Sequence, residues 1–266
     1  MKKIIFSSVV ILFLGACQNA PQEKEIIVEQ KGEKTQPEKI TFPSLDSLPI
    51  TANLYFSDSS SPIIVLCHQA RYNKFEYTRI AETLLEKGFN CIAIDQRSGG
   101  PLVEENNETM LKAKALGKPI DYLDAEQDIV AAVNYTSNKY NKKVILWGSS
   151  YSSTLALWIA LENKNVAAVV SFSPGDYFIE EKGSLTEKLK NLSIPMFVTS
   201  SKEESIETTS LLKNVRLDET KIQYIPKSVG THGSRALWQT DENNQEYWNA
   251  ISPFLESLKK INYSKE

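Results

Sequence analysis

The chain of 266 residues is 41% hydrophobic and 24% charged, too apolar for a disordered polypeptide and long enough to bury a full core. Eleven Gly and eleven Pro scattered without a period exclude collagen-like and low-complexity architectures, and no repeat of solenoid length is present. Thirty basic residues against 33 acidic ones, a net charge of −3 with no basic stripe, speak against nucleic acid as a partner; two His and three Cys leave too few ligands for a structural zinc site or a disulfide framework.

Met1, Lys2 and Lys3 make a positive start, and residues 4–14 are an apolar run broken only by Ser7 and Ser8. That run is short of the ~20 residues of a membrane span and reads as a secretory signal over residues 1–16. It ends in Leu14-Gly15-Ala16-Cys17, which resembles the lipobox of bacterial lipoproteins. The resemblance implies cleavage before Cys17, a diacylglycerol on the Cys17 thiol, and anchoring to a membrane of the bacterial cell envelope on its non-cytoplasmic side; an ordinary cleaved signal with a chance Cys is the plainer reading. Removing residues 1–16 leaves 28 basic against 33 acidic residues. Residues 17–37 are Gln, Asn, Pro, Glu and Lys around one apolar triplet, Ile26-Ile27-Val28, a composition that does not fold and reads as a tether reaching some ~25 Å from a membrane.

From Lys39 onward short apolar runs alternate with helical patterns. Ile40-Thr41-Phe42 and residues 50–56 predict an antiparallel pair. Residues 63–67, 92–94, 144–147, 166–172, 196–198 and 222–225 are near-continuous apolar runs, suited to strands buried on both faces of a parallel sheet. Amphipathic segments at 75–87, 122–140, 151–162, 206–213 and 246–260 predict helices, with a shorter one at 108–116 inside the long 96–120 connection. That connection is either the rim of a site or a surface excursion. Strand and helix in alternation predict an α/β fold over residues 38–266, a doubly wound, mostly parallel sheet flanked by helices. Cys67 and Cys91, at the end and start of neighbouring strands, are expected as buried free thiols.

Ligands of such sheets bind beyond the carboxyl ends of the strands. The residues there are His68-Gln69-Ala70-Arg71, Asp95-Gln96-Arg97-Ser98-Gly99-Gly100, Gly148-Ser149-Ser150-Tyr151-Ser152, Ser173-Pro174-Gly175-Asp176, Ser201-Lys202-Glu203-Glu204 and Thr231-His232-Gly233. Gly148 to Ser152 lies between a buried strand and an apolar helix, the setting in which G-x-S-x-G forms a nucleophile elbow. Positions two before and two after the nucleophile must be small. Gly148 and Ser152 meet this for Ser150, whereas a Ser149 register would put Trp147 and Tyr151 there. The plainer reading of Ser150 is a helix N-cap. A serine nucleophile needs a base oriented by a carboxylate, and His232, after the last strand and between Gly230 and Gly233, is favoured over His68.

The His68 loop, the Asp95–Gly100 turn, the elbow at Ser150 and the terminal His232-Gly233 together resemble the α/β-hydrolase superfamily, most closely its dienelactone-hydrolase-like and esterase-like members, over roughly residues 40–260. The resemblance implies hydrolysis of a small-molecule acyl substrate through a serine ester, without a cofactor or metal. It places the acid in the loop after the seventh strand, where Glu203 fits best by offset, with Glu204 and Asp176 as alternatives. It also implies an oxyanion hole from the backbone N–H groups of Ala70 and Tyr151, and, with no long insertion after the sixth strand, no large cap domain. Ser152 and Gln69 stand where glycines are usual, which motivates a rival reading as a catalytically dead, ligand-binding lipoprotein. The aromatic Tyr151 motivates a third, a serine peptidase of the same fold.

Overall fold

The computed structural model describes residues 36–265. The expected signal segment, Cys17 and most of the tether lie outside the described residues.

Eight strands form one sheet in the order β1-β2-β4-β3-β5-β6-β7-β8. They are β1 (Glu38–Pro43), β2 (Pro49–Tyr55), β3 (Ile63–Cys67), β4 (Asn90–Ile94), β5 (Val144–Ser149), β6 (Val166–Phe172), β7 (Met196–Thr199) and β8 (Lys221–Tyr224). β2 runs antiparallel to β1 and β4, and every other pairing is parallel. The helices are α1 (Thr78–Glu86), α2 (Glu108–Ala115), α3 (Ala125–Tyr140), α4 (Tyr151–Glu162), the one-turn α5 (Ile179–Lys182) and α6 (Leu185–Lys188), α7 (Ser205–Leu211) and α8 (Asn244–Leu258).

The apolar strand runs bury both faces because helices cover both. In β3, Ile63, Val65 and Cys67 join a cluster with Ile129 and Val133 of α3 and Leu155 of α4. Ile64 and Leu66 point the other way, to Ile80 and Leu84 of α1 and Phe254 of α8. Alternate side chains of one strand thus feed two cores, which is why the sequence shows no polar alternation there. β8 differs: all four of its residues are half-buried, since it forms the sheet edge with a neighbour on one side only.

Only α5, α6 and a short 3-10 turn separate β6 from β7, so no cap domain enters there. Cys67 and Cys91 are free and buried, and burial pushes both thiols well above their usual pKa, leaving Cys67 a core residue rather than a nucleophile. The Asp95–Gly100 turn is scaffold. Asp95 meets Lys74 Nζ at 3.0 Å, both side chains at most 2% exposed, and the Arg97 guanidinium lies 2.8 Å from both Asp128 and Asp46. Among the described residues no helix is long and apolar enough to cross a membrane.

Candidate active site

β5 ends at Ser149 and α4 begins at Tyr151, so Ser150 alone reverses the chain. It sits at φ 59°, ψ −128°, a conformation that a side-chain-bearing residue adopts only when its surroundings impose it. Its N–H donates to the Phe172 carbonyl at 2.8 Å and its carbonyl accepts from Ser153 N–H at 2.9 Å. A Cβ on Gly148 would lie 2.4 Å from Ser152 O and from Ser153 Cα, so the strand passes too close to the helix for any residue but Gly. Ser152 replaces the second glycine without obstruction. Its Oγ lies 2.8 Å from the carbonyl oxygens of Cys67 and His68 and accepts from Ser149 N–H at 3.1 Å, tying the elbow to the end of β3.

His68 is wholly buried. Its Nε2 accepts from the Gln96 N–H at 3.0 Å, so the proton is on Nδ1, which faces the Gln69 carbonyl at 2.8 Å. Burial, helped by the nearby Lys74 charge, lowers its pKa to about 4. His68 is therefore a neutral strut, not a base. In a trans peptide the C=O and the following N–H point in opposite directions. Fixing the Gln69 carbonyl toward the imidazole thus turns the Ala70 N–H the other way, and Ala70 lines the same cleft as Ser150. The side chain of Tyr151 is anchored below by Ser98 Oγ at 2.6 Å and by Gln96 Nε2, which donates to its hydroxyl at 3.0 Å; its backbone N–H opens helix α4.

His232 lines that cleft of about 340 Å³ together with Ser150, Gln69, Ala70, Arg71, Tyr72 and Arg235. Its Nδ1 hydrogen-bonds to Glu204 Oε1. Here the sequence reading is corrected: the carboxylate at His232 is that of Glu204, and Glu203 is an exposed residue on the rim. The reason is local geometry. Residues 202–204 form the turn into α7, where neighbouring side chains diverge by ~100°, so only one of two adjacent glutamates faces inward. The other oxygen, Oε2, accepts from Ser173 Oγ at 2.8 Å, Ser201 N–H at 3.0 Å and Ser201 Oγ at 2.9 Å. Burial pushes the Glu204 carboxyl up, but the hydrogen bonds from His232 and Ser173 outweigh it and bring the pKa down to about 2. Asp176, the other acid considered, is spent elsewhere, accepting from Leu185 N–H at 3.1 Å.

Ser173 is the site residue that sequence reasoning missed as an individual. It holds φ 56°, bonds Glu204, and accepts the Gly233 N–H at 2.9 Å, joining the acid loop to the His232 loop. Its place just after β6 was the available signal. Gly233 itself has φ 73°, and a Cβ there would lie 2.6 Å from Ser149 Oγ. The 96–120 connection does not reach the Ser150 cleft. Its Val103 and Glu105 instead line a separate apolar cleft of about 480 Å³ with Phe75 and Trp238. Among the described residues no group of three or more His, Cys, Asp or Glu is disposed to hold a metal.

A serine at a strained strand-to-helix apex lines one cleft with a histidine that bonds a carboxylate, and a profile of the dienelactone hydrolase family matches residues 50–221. The chain belongs to the dienelactone hydrolase family. It is accordingly a hydrolase acting on esters. No curated protein sequence matches it. Among solved structures the chain is similar to the esterase Pf2001 of Pyrococcus furiosus, with TM-score 0.63 and 17% identity over 84% of this chain and 92% of that one. It is also similar to a dienelactone hydrolase from Anabaena variabilis, with TM-score 0.61 and 17% identity over 86% of this chain and all of that one. An acylaminoacyl peptidase of Pyrococcus horikoshii superposes with TM-score 0.62 and 16% identity over 89% of this chain, which spans only 44% of the peptidase. At these identities the likeness is one of fold.

Proposed function

We propose that the protein is a serine esterase in which Ser150 is the nucleophile, His232 the general base and Glu204 the residue that orients the imidazole and stabilises its charged form. The observation that carries this reading is the Glu204–His232 contact, made by a histidine that lines one cleft with Ser150. Ser150 Oγ adds to the acyl carbonyl as His232 takes its proton; Glu204, ionised at neutral pH, stabilises the imidazolium. The oxyanion of the tetrahedral intermediate is held by the N–H groups of Ala70 and Tyr151. Collapse expels the alcohol, protonated by His232, and water then releases the acid from the Ser150 ester by the same steps reversed.

The dead-hydrolase reading loses its motive, because Ser152 adds a tie and the Gln69 peptide is pinned from both sides. Peptide-bond cleavage is the competing chemistry, and the same nucleophile serves it. The test is labelling by a fluorophosphonate probe together with turnover of short acyl esters and dipeptide amides. We expect labelling confined to Ser150, lost in Ser150→Ala, with esters turned over faster than amides. An unlabelled protein with no esterase activity would sink the reading; faster amide turnover would make it a peptidase. We further propose that Cys17 carries the lipid anchor that would hold the enzyme at the cell envelope. Mass spectrometry finding an unmodified mature N-terminus, or Cys17→Ser protein that stays fully with membranes, would end that proposal.

A further inference from the structure

One buried carboxylate near the site has no role in this mechanism. Glu76, in the 3-10 turn between β3 and α1, is 1% exposed. Its Oε2 accepts the Gln69 N–H at 2.7 Å, while its Oε1 is buried without a hydrogen-bond partner among the described residues. A buried orphan oxygen on an ionisable group is rare enough in native proteins to call for an explanation. A neutral residue would hold one peptide N–H without the desolvation that a carboxylate suffers there.

Its position shows what the Oε2 contact does. The Gln69 N–H and the Gln69 carbonyl flank one residue, the first held by Glu76 and the second by His68 Nδ1. The Ala70 N–H shares its peptide unit with the Gln69 carbonyl that His68 holds, and Glu76 holds the unit just before it. The backbone of Glu76 is itself fixed, since its carbonyl accepts from Trp238 Nε1 at 2.8 Å, and the Trp238 ring stacks on Tyr72. The Ser149 hydroxyl, which receives the Ser234 N–H at 2.8 Å, lies beside the same carboxylate. The charged and titratable groups facing Glu76 are Arg235, His232, Tyr77 and Cys67. Burial raises its carboxyl to about 7 against the pull of the Gln69 N–H.

We propose that Glu76 is a positioning residue for the oxyanion hole: by its reach to the Gln69 N–H it fixes the 68–69 peptide unit, and so the start of the next unit, which His68 orients and which carries the Ala70 N–H. This rests on Ser150 acting as nucleophile. The experiment measures kcat and KM for a short acyl ester in wild type, Glu76→Asp, Glu76→Gln, Glu76→Ala and Ser150→Ala. Losing an oxyanion donor outright costs roughly 10²–10³ in rate, so a donor merely loosened should cost about tenfold. Glu76→Asp keeps a carboxyl group but withdraws it by one methylene, and kcat should fall about tenfold with KM within about twofold. Glu76→Gln keeps an acceptor at full reach and should restore kcat to within about threefold of wild type. Glu76→Ala should lose at least as much as Glu76→Asp; should it not fold, the Asp and Gln pair decides alone. Wild-type kcat in Glu76→Asp, or a Glu76→Gln protein as slow as Glu76→Asp, overturns the proposal. Turnover that survives Ser150→Ala overturns the esterase mechanism and this role with it, whereas turnover abolished by Ser150→Ala but indifferent to Glu76 overturns this role alone.

Discussion

The two halves of the site are built differently. The nucleophile half, comprising Gln69, the elbow and Ser152, lies at the ends of central strands β3 and β5, and its residues are at most 9% exposed apart from Ala70. The proposed acid–base half, Glu204 and His232, lies on loops beyond β7 and the edge strand β8, with side chains 28% and 36% exposed. In the first half close packing, strained backbone and fully buried hydrogen bonds from Ser152, His68 and Glu76 hold the geometry. In the second a chain of hydrogen bonds does, running from Ser201 and Ser173 through Glu204 to His232. The contrast teaches that steric packing reinforces the hydrogen bonds where the sheet is covered on both faces, and that polar networks act largely alone where it thins out.

That contrast can be broken at its centre with the largest effect. His232→Ala should reduce kcat by roughly five to six orders of magnitude while the fold persists, because members of a Ser-His unit fail together. A fully active variant, measured on short acyl esters, would leave buried His68 as the only imidazole and refute the whole scheme.

The polar half is probed next by two adjacent carboxylates. Glu204→Gln removes the charge facing the imidazolium and favours the wrong tautomer, so kcat should fall by about 10⁴. Glu203→Gln, on the exposed rim, should stay within about twofold of wild type, since exposed charges contribute little. The opposite pattern in a kcat comparison would return the acid to Glu203.

The packed half should respond in stability more than in chemistry. Ser152→Ala removes the hydroxyl that satisfies the end of β3 and the Ser149 N–H. We expect about 1–3 kcal/mol of destabilisation in urea unfolding, the usual cost of stranding buried polar groups. An unchanged midpoint would mean that packing alone holds the elbow.

The smallest effect is on acid stability. Glu204 has a folded pKa of about 2 against an ordinary 4.5, so its ionised form is favoured in the native state. That contribution is fully present above the unfolded value of 4.5 and is lost as pH falls from there toward 2. Glu204→Gln should flatten this part of the unfolding profile. A variant whose stability still falls as steeply as wild type across that window would assign the acid sensitivity to other groups.

Much of this was legible in the chain itself. The runs at 63–67 and 166–172 announced strands covered on both faces, because an apolar residue at every position has no solvent side to give up. The register of Ser150 followed from Trp147 and Tyr151, which no tight elbow admits at its cramped positions. The position of His232 followed from chain order. What only the tertiary structure decided was the partner of His232. Glu203 and Glu204 are identical in type and adjacent in sequence, and the choice between them depends on a turn whose inner oxygen is claimed by Ser173, 31 residues away. The same holds for Glu76, whose partner Gln69 is seven residues away along a loop on which Tyr72 stacks against Trp238. Steric limits act between neighbours and can be read from neighbours. The direction of a hydrogen bond is set by whatever the fold brings to its other end.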